Sequence, residues 1–336
     1  MVVAPAAAQA TGAPEVATAS PGSTSTGIYA PLNRPGPPLD IPTDQLAAAL
    51  MCTAGVTHAR RDPILLVPGT ELDPDLNFSW NYERAFARMG WPYCAITLPG
   101  HTTGDIQKAG EYIVYALRTM HRLTGHAGRH VDILGYSQGG MLPRWALRFW
   151  PDTRRMVDAF VSLDPSNHGT LVADVGCPLG CSAADWQQHR SAHFIQALNS
   201  GAETFAGISY TVIYSRSDEV VVPNFDSSGS SSLHTGAGRI ADIAVQDVCP
   251  TDISEHFAMG SYDPVGYALA VDAFTHDGPA DPARIALTTC AAVFQPGVDP
   301  GTFLTQYVLY LNGSGTSASI TAEPPLATYV YDAAPQ

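Results

Sequence analysis

Along the chain, short runs with no polar side chain alternate with stretches in which apolar residues recur every three or four positions. Residues 64–67 read Ile-Leu-Leu-Val, so a strand there must be covered on both faces. Runs that are mostly apolar, at 93–98, 131–135, 160–163, 210–214 and 240–245, predict further strands. Between them, 80–89, 106–123, 141–150 and 265–274 predict helices. Strand and helix in strict succession predict an α/β fold whose central sheet is mostly parallel, with helices on both faces. Residues 1–44 follow neither period and cluster Pro, Ala, Ser, Thr and Gly, which predicts an N-terminal tail. Residues 45–290 then form the α/β domain. Residues 291–336 form a C-terminal extension packed on that domain, with 303–311 reading as extended chain.

Composition narrows the function. The chain of 336 residues is 45% apolar but only 14% charged, where roughly 25% is usual, so it can bury a large core and is not a disordered polymer. With 17 basic against 31 acidic residues its formal charge is −14, which argues against a nucleic-acid partner. Every apolar run is broken well short of the roughly 20 residues a membrane span needs, so no transmembrane segment is expected. Six cysteines, an even number, and a small apolar stretch at 1–10 with Ala-x-Ala spacings point to secretion, although no Lys or Arg precedes that stretch. A trimmed or partial leader is the expectation.

The chemistry centres on Gly135-Tyr136-Ser137-Gln138-Gly139, which follows one predicted strand and opens a predicted helix. That context is the sharp strand-to-helix turn on which a nucleophilic serine is presented, with glycines letting strand and helix approach each other. A serine hydroxyl needs a base, and the base needs a carboxylate to fix its tautomer, in the chain order Ser, acid, His. Asp218, just past the strand 210–214, is the better placed acid; Asp164, just past 160–163 and followed by Pro165, is its rival. Glu219 reads as a solvated neighbour. His256, in a loop after 240–245, is the candidate base, whereas His168, His234 and His276 read as surface or loop residues. An oxyanion needs two donors. The backbone N–H of Gln138, at a helix N-terminus, supplies one. Thr70, in the loop after the first predicted strand, supplies the other.

Taken together, Pro63-Ile64-Leu65-Leu66-Val67-Pro68-Gly69-Thr70, then Ser137-Gln138-Gly139-Gly140 with Trp145 and Phe149-Trp150-Pro151, then Tyr214-Ser215 with Asp218-Glu219-Val220, resemble the family of lipase B of Candida antarctica and its bacterial relatives. The resemblance runs from about Leu46 to Cys290. It implies an α/β-hydrolase fold and a secreted, monomeric serine carboxylic-ester hydrolase, most simply a lipase acting on acylglycerol esters at a lipid–water interface without a cofactor. It implies Ser137, Asp218 and His256 as triad and Thr70 with Gln138 as oxyanion hole. It also implies the disulfides Cys52–Cys94 and Cys249–Cys290. The family's third disulfide has no counterpart, which leaves Cys177 and Cys181 to pair locally. Tyr136 stands where the yeast enzyme has Trp, so stereoselectivity tied to that indole does not transfer. Esterases, polyester hydrolases and some acyltransferases share this machinery, and a non-catalytic binder on the same scaffold is the reading of a different class.

Other features carry less. Pro143, just inside the helix behind Ser137, predicts a bent first turn. His126 with His130 and His189 with His193 have a ligand-like spacing but lack the Glu of a zinc-hydrolase motif, and no metal is expected. Asn77-Phe78-Ser79 and Asn312-Gly313-Ser314 fit glycosylation acceptors by pattern alone. Residues 177–198, with Leu179, Trp186, Phe194, Ile195 and Leu198 among polar neighbours, are expected to cover the mouth of the site; the competing expectation is an ordinary packed crossover.

Overall fold

A computed structural model describes residues 28–124, 128–313 and 318–332. The apolar stretch at 1–10, most of the predicted tail, His126 and Ser314 lie outside the described residues. Seven strands form one sheet: β1 (Leu50–Cys52), β2 (Ile64–Val67), β3 (Tyr93–Ile96), β4 (Val131–Tyr136), β5 (Val157–Leu163), β6 (Ser209–Tyr214) and β7 (Arg239–Ala244). Their order is β1-β3-β2-β4-β5-β6-β7. Every pair is parallel except β1 with β3, which puts an antiparallel strand at one edge.

Alternation along each strand builds two cores. Ile64 and Leu66 of β2 enter one with Leu134, Leu163 and Ile213, under the helices Tyr82–Met89 and Pro264–Thr275. Leu65 and Val67 enter the other with Ile133, Phe160 and Val212, under Ile106–Thr124 and Pro143–Phe149. A strand buried on both faces is apolar at most positions, as β2 is throughout. The buried polar exceptions find partners, as Asp132 of β4 does in accepting from Ala159 N at 3.2 Å. Together the parallel sheet and its two helical layers make an α/β-hydrolase fold.

Pro143 splits the helix behind Ser137 into Gln138–Met141 and Pro143–Phe149. Strand β5 starts earlier than 160, because Val157 and Ala159 are buried around an exposed Asp158. A larger correction concerns 303–311, which is not extended: Phe303–Asn312 is a helix. Its aromatic residues Phe303, Tyr307 and Tyr310 fall at helical spacing and stack along one face, with ring centroids 5.2 and 6.1 Å apart. That face packs on Trp80, Tyr262 and Phe294.

Composition assigns residues 28–42 to the tail, yet they lie on the domain. Arg148 Nη2 donates to the Ala30 carbonyl at 2.6 Å, Trp150 Nε1 to that of Pro37 at 2.9 Å, and Asp40 N to Glu111 Oε2 at 2.6 Å. The end of the chain meets them there, with Ala30 N bonded to the Val330 carbonyl at 2.8 Å. Disulfides join Cys52 to Cys94, Cys177 to Cys181 and Cys249 to Cys290. Cys52 and Cys94 are direct cross-strand partners of β1 and β3.

Candidate active site

Ser137 sits between β4 and the helix Gln138–Met141 with φ 54° and ψ −124°, a conformation side chains rarely adopt. Two glycines make the turn possible. A Cβ on Gly135 would lie 2.0 Å from the Gly139 carbonyl oxygen, and one on Gly139 would lie 2.2 Å from that of Val67. No other residue allows strand, helix and the neighbouring loop to approach so closely.

The carboxyl ends of β4, β6 and β7 bring the remaining candidates to Ser137. His256 Nε2 is 3.1 Å from Ser137 Oγ, and His256 Nδ1 is 2.9 Å from Asp218 Oδ2. The other oxygen of Asp218 accepts from the backbone N–H groups of Val220 at 2.8 Å and Val221 at 2.7 Å. That carboxylate is therefore held in one orientation by three donors. His256 opens the short helix His256–Met259, whose N-cap Glu255 accepts from Phe257 N and Ala258 N. Tyr136 OH donates to the His256 carbonyl at 3.1 Å, and Glu219 Oε2 accepts from His256 N at 3.2 Å. Glu219, expected to be a solvated neighbour, thus anchors the backbone of the candidate base.

Asp164 is also present, fully buried. Its Oδ1 accepts from Ser215 N at 2.7 Å, while its Oδ2 lies 3.9 Å from His256 Nδ1. At that distance it makes no hydrogen bond to the ring, so Asp218 is the acid in contact. Burial, and then the charge of Asp218, push the Asp164 carboxyl well above the usual carboxylate range.

On the other side of Ser137, Gln138 is the first residue of its helix, where backbone N–H groups lack intrahelical partners. Thr70 faces it, but the Thr70 hydroxyl donates to Gln138 Oε1 at 2.8 Å, which leaves the Thr70 N–H as the donor to consider. Gln188 Nε2 bridges both side chains at 3.2 Å, and Ser166 Oγ donates to Gln188 Oε1 at 2.7 Å. Asn77 ties the same loop to the base: Gly69 N donates to its Oδ1 at 3.0 Å and its Nδ2 donates to the Gly260 carbonyl at 3.0 Å. Asn77 is wholly buried, so its sequon describes no accessible glycosylation acceptor. Gln188 carries no motif, and Asn77 only a sequon unrelated to this role, because the partners of both are remote in the chain.

Ser137 and His256 open into a pocket of about 440 Å³ whose lining includes Leu72, Val172, Val221, Phe257 and Leu311. Part of the expected cover is here: Cys177, Gly180, Cys181 and Asp185 line the pocket. The rest is not. Phe194, Ile195 and Leu198 are buried in the core, with Phe194 stacked on Trp145 at 4.4 Å, because their apolar stripe packs toward the helix Pro143–Phe149. The half-buried Trp186 donates its Nε1 to the Ile320 carbonyl at 3.0 Å. Elsewhere His168 pairs with Glu203, His276 with Asp272, His189 with Asp174 and His193 with Glu323. The two His of the 189/193 pair thus turn to different carboxylates.

Comparisons with known proteins agree with one another. A family model described as lipase (class 2) matches residues 61–244. Lipase B of Pseudozyma antarctica is 30% identical over 222 residues, which make up 66% of this chain and 64% of that protein. The chain thus matches somewhat less than two thirds of that relative's length. Lipase B of Aspergillus fumigatus superimposes with a TM-score of 0.80 at 28% identity, covering 93% of this chain and 77% of the other.

Proposed function

The chain belongs to the class 2 lipase family, and on that premise we propose that it is a secreted serine carboxylic-ester hydrolase acting on acylglycerol esters. The observation that carries this reading is the unbroken chain from Ser137 Oγ through His256 to Asp218 at the foot of an apolar pocket. Ser137 attacks the acyl carbon while its proton passes to His256 Nε2, and the carbonyl electron pair moves onto the oxygen between the N–H groups of Gln138 and Thr70. His256 now carries two protons; Asp218 holds the Nδ1 proton and stabilises the charge. Collapse of the tetrahedral intermediate expels the alcohol, which takes the Nε2 proton. Water then repeats the sequence on the acyl-enzyme, with His256 as base, and releases the acid.

The rim of the pocket supports a lipid substrate. Val172, on the helix Leu171–Gly176, and Leu311, on Phe303–Asn312, both line the pocket and stand exposed, and each helix exposes further apolar side chains, Val175 and Val308 among them. Apolar side chains exposed together around a pocket suit a lipid–water interface. Three disulfides and no free cysteine among the described residues support an oxidising compartment outside the cell.

The test is labelling by an organophosphonate, read by mass spectrometry, together with hydrolysis of p-nitrophenyl esters from acetate to palmitate and of a triglyceride emulsion. Ser137 carries the label, S137A loses activity by several powers of ten with an unchanged melting temperature, and long chains and emulsion are turned over. An unlabelled Ser137 overturns the hydrolase reading. Turnover of acetate alone overturns the lipid substrate.

A further inference from the structure

Two carboxyl groups, not one, converge on the Nδ1 edge of His256, and the mechanism above uses only Asp218. Asp164 directly follows β5, the strand next to β6, and with a φ of 42° its side chain occupies a space with no solvent access. Its Oδ1 is accounted for by Ser215 N, at the root of the loop that carries Asp218. Its Oδ2 is buried without a hydrogen-bond donor among the described residues, beside the Asp218 carboxylate and 3.9 Å from His256 Nδ1. An anchor for Ser215 alone needs one acceptor oxygen, and a second one left bare in the interior is costly. The bare atom faces the imidazole edge and Asp218.

Resting on the proposed triad, we propose that Asp164 is a positioning residue of the same acid site: a neutral carboxyl that braces Asp218 and is the reserve acceptor for His256 Nδ1. Two buried carboxyls beside one imidazole do not both ionise, because each charge raises the other's cost. Asp218 has the two backbone donors and the ring to stabilise its charge, so the proton resides on Asp164. Protonated, Oδ2 becomes a donor, which removes the unmet acceptor and directs an O–H toward Asp218. The other groups facing Asp164 add no positive charge besides the ring: Asp263 at the head of Pro264–Thr275, Tyr136 at the end of β4 and Tyr310 on the C-terminal helix.

The consequence is an inverted order of damage at position 218. D218N is isosteric but places an amide between His256 and Asp164, blocking the reserve. D218A opens the space, and a shift of roughly 1 Å in Asp164, now free to lose its proton to water, brings its oxygen onto Nδ1 within hydrogen-bond reach.

The panel is wild type, D218A, D218S, D218N, D164N, D164N/D218A and S137A, assayed on p-nitrophenyl butyrate from pH 5 to 9 with melting temperatures alongside. D218A or D218S should retain at least about tenfold more kcat than both D218N and D164N/D218A, whose rates approach S137A. D164N should leave the acidic limb of the kcat/KM profile where it is in the wild type, since one neutral group replaces another. Equal rates for D218A, D218S and the double variant, all folded, overturn the reserve role. A fall of about one unit in the acidic midpoint of D164N shows that Asp164 is ionised, and overturns its neutral role. Failure of the triad itself is separate, because S137A would then remain active.

Discussion

Replacing Asp218 by Asn changes one oxygen to an amide nitrogen, and the structure determines which way that amide must turn. One oxygen of Asp218 accepts from Val220 N and Val221 N at 2.8 and 2.7 Å, and the other from His256 Nδ1 at 2.9 Å. An amide has a single acceptor oxygen. If it faced His256, the nitrogen would meet two backbone donors and leave both unpaired, at about 1–3 kcal/mol each. Turned the other way it satisfies both, and presents N–H to Nδ1. His256 must then carry its proton on Nε2, where it cannot accept one from Ser137, so the favoured amide orientation selects the inactive tautomer. An exchange of this type lowers kcat by about 10⁴, or about 5.4 kcal/mol of transition-state stabilisation. Initial rates on p-nitrophenyl butyrate at pH 8, with active sites counted by phosphonate titration, measure it, and the melting temperature should change little. A folded D218N within tenfold of wild type would refute the reasoning.

Other outcomes follow from single features. G139A puts a methyl group 2.2 Å from the Val67 carbonyl oxygen, so both the turn and the loop bearing Thr70 must shift; kcat should fall at least about a hundredfold with a lower melting temperature, checked by assay and calorimetry. Opening Cys52–Cys94 or Cys249–Cys290, at separations of 42 and 41 residues, removes a constraint worth about 4 kcal/mol in the chain-entropy model, so C52A/C94A should unfold at distinctly lower urea concentration. Burial, and then Asp252, raise the Asp263 carboxyl to about 7. Its folded value lies above its unfolded value, so its contribution to stability is complete below about pH 4 and is lost as pH rises through about 7. D263N keeps a competent helix cap and should lose less stability than wild type between pH 4.5 and 8, read as the difference of their melting temperatures.

How much of this the sequence determined follows from the distance over which each feature is made. The nucleophile turn is complete within Gly135 to Gly140, with a buried strand before it and a helix after, so local pattern alone locates it. The parallel sheet is equally legible, because a strand covered on both faces is apolar at most of its positions. The choice of acid is different. Asp164 and Asp218 each follow a strand at the same sheet edge, and only the packed loops show one at 2.9 Å and the other at 3.9 Å from the same nitrogen. Residues 28–42 and 303–312 likewise have compositions that suit a tail and a strand. They are held where they are by Arg148, Trp150 and Trp80, partners more than a hundred positions away. Gln188 and Asn77 brace the oxyanion loop through hydrogen bonds closed over the fold. Patterns in sequence report what a residue must do to its immediate neighbours. Which oxygen faces which imidazole is settled only when elements remote in the chain are packed together, since the difference is one ångström within a buried cluster.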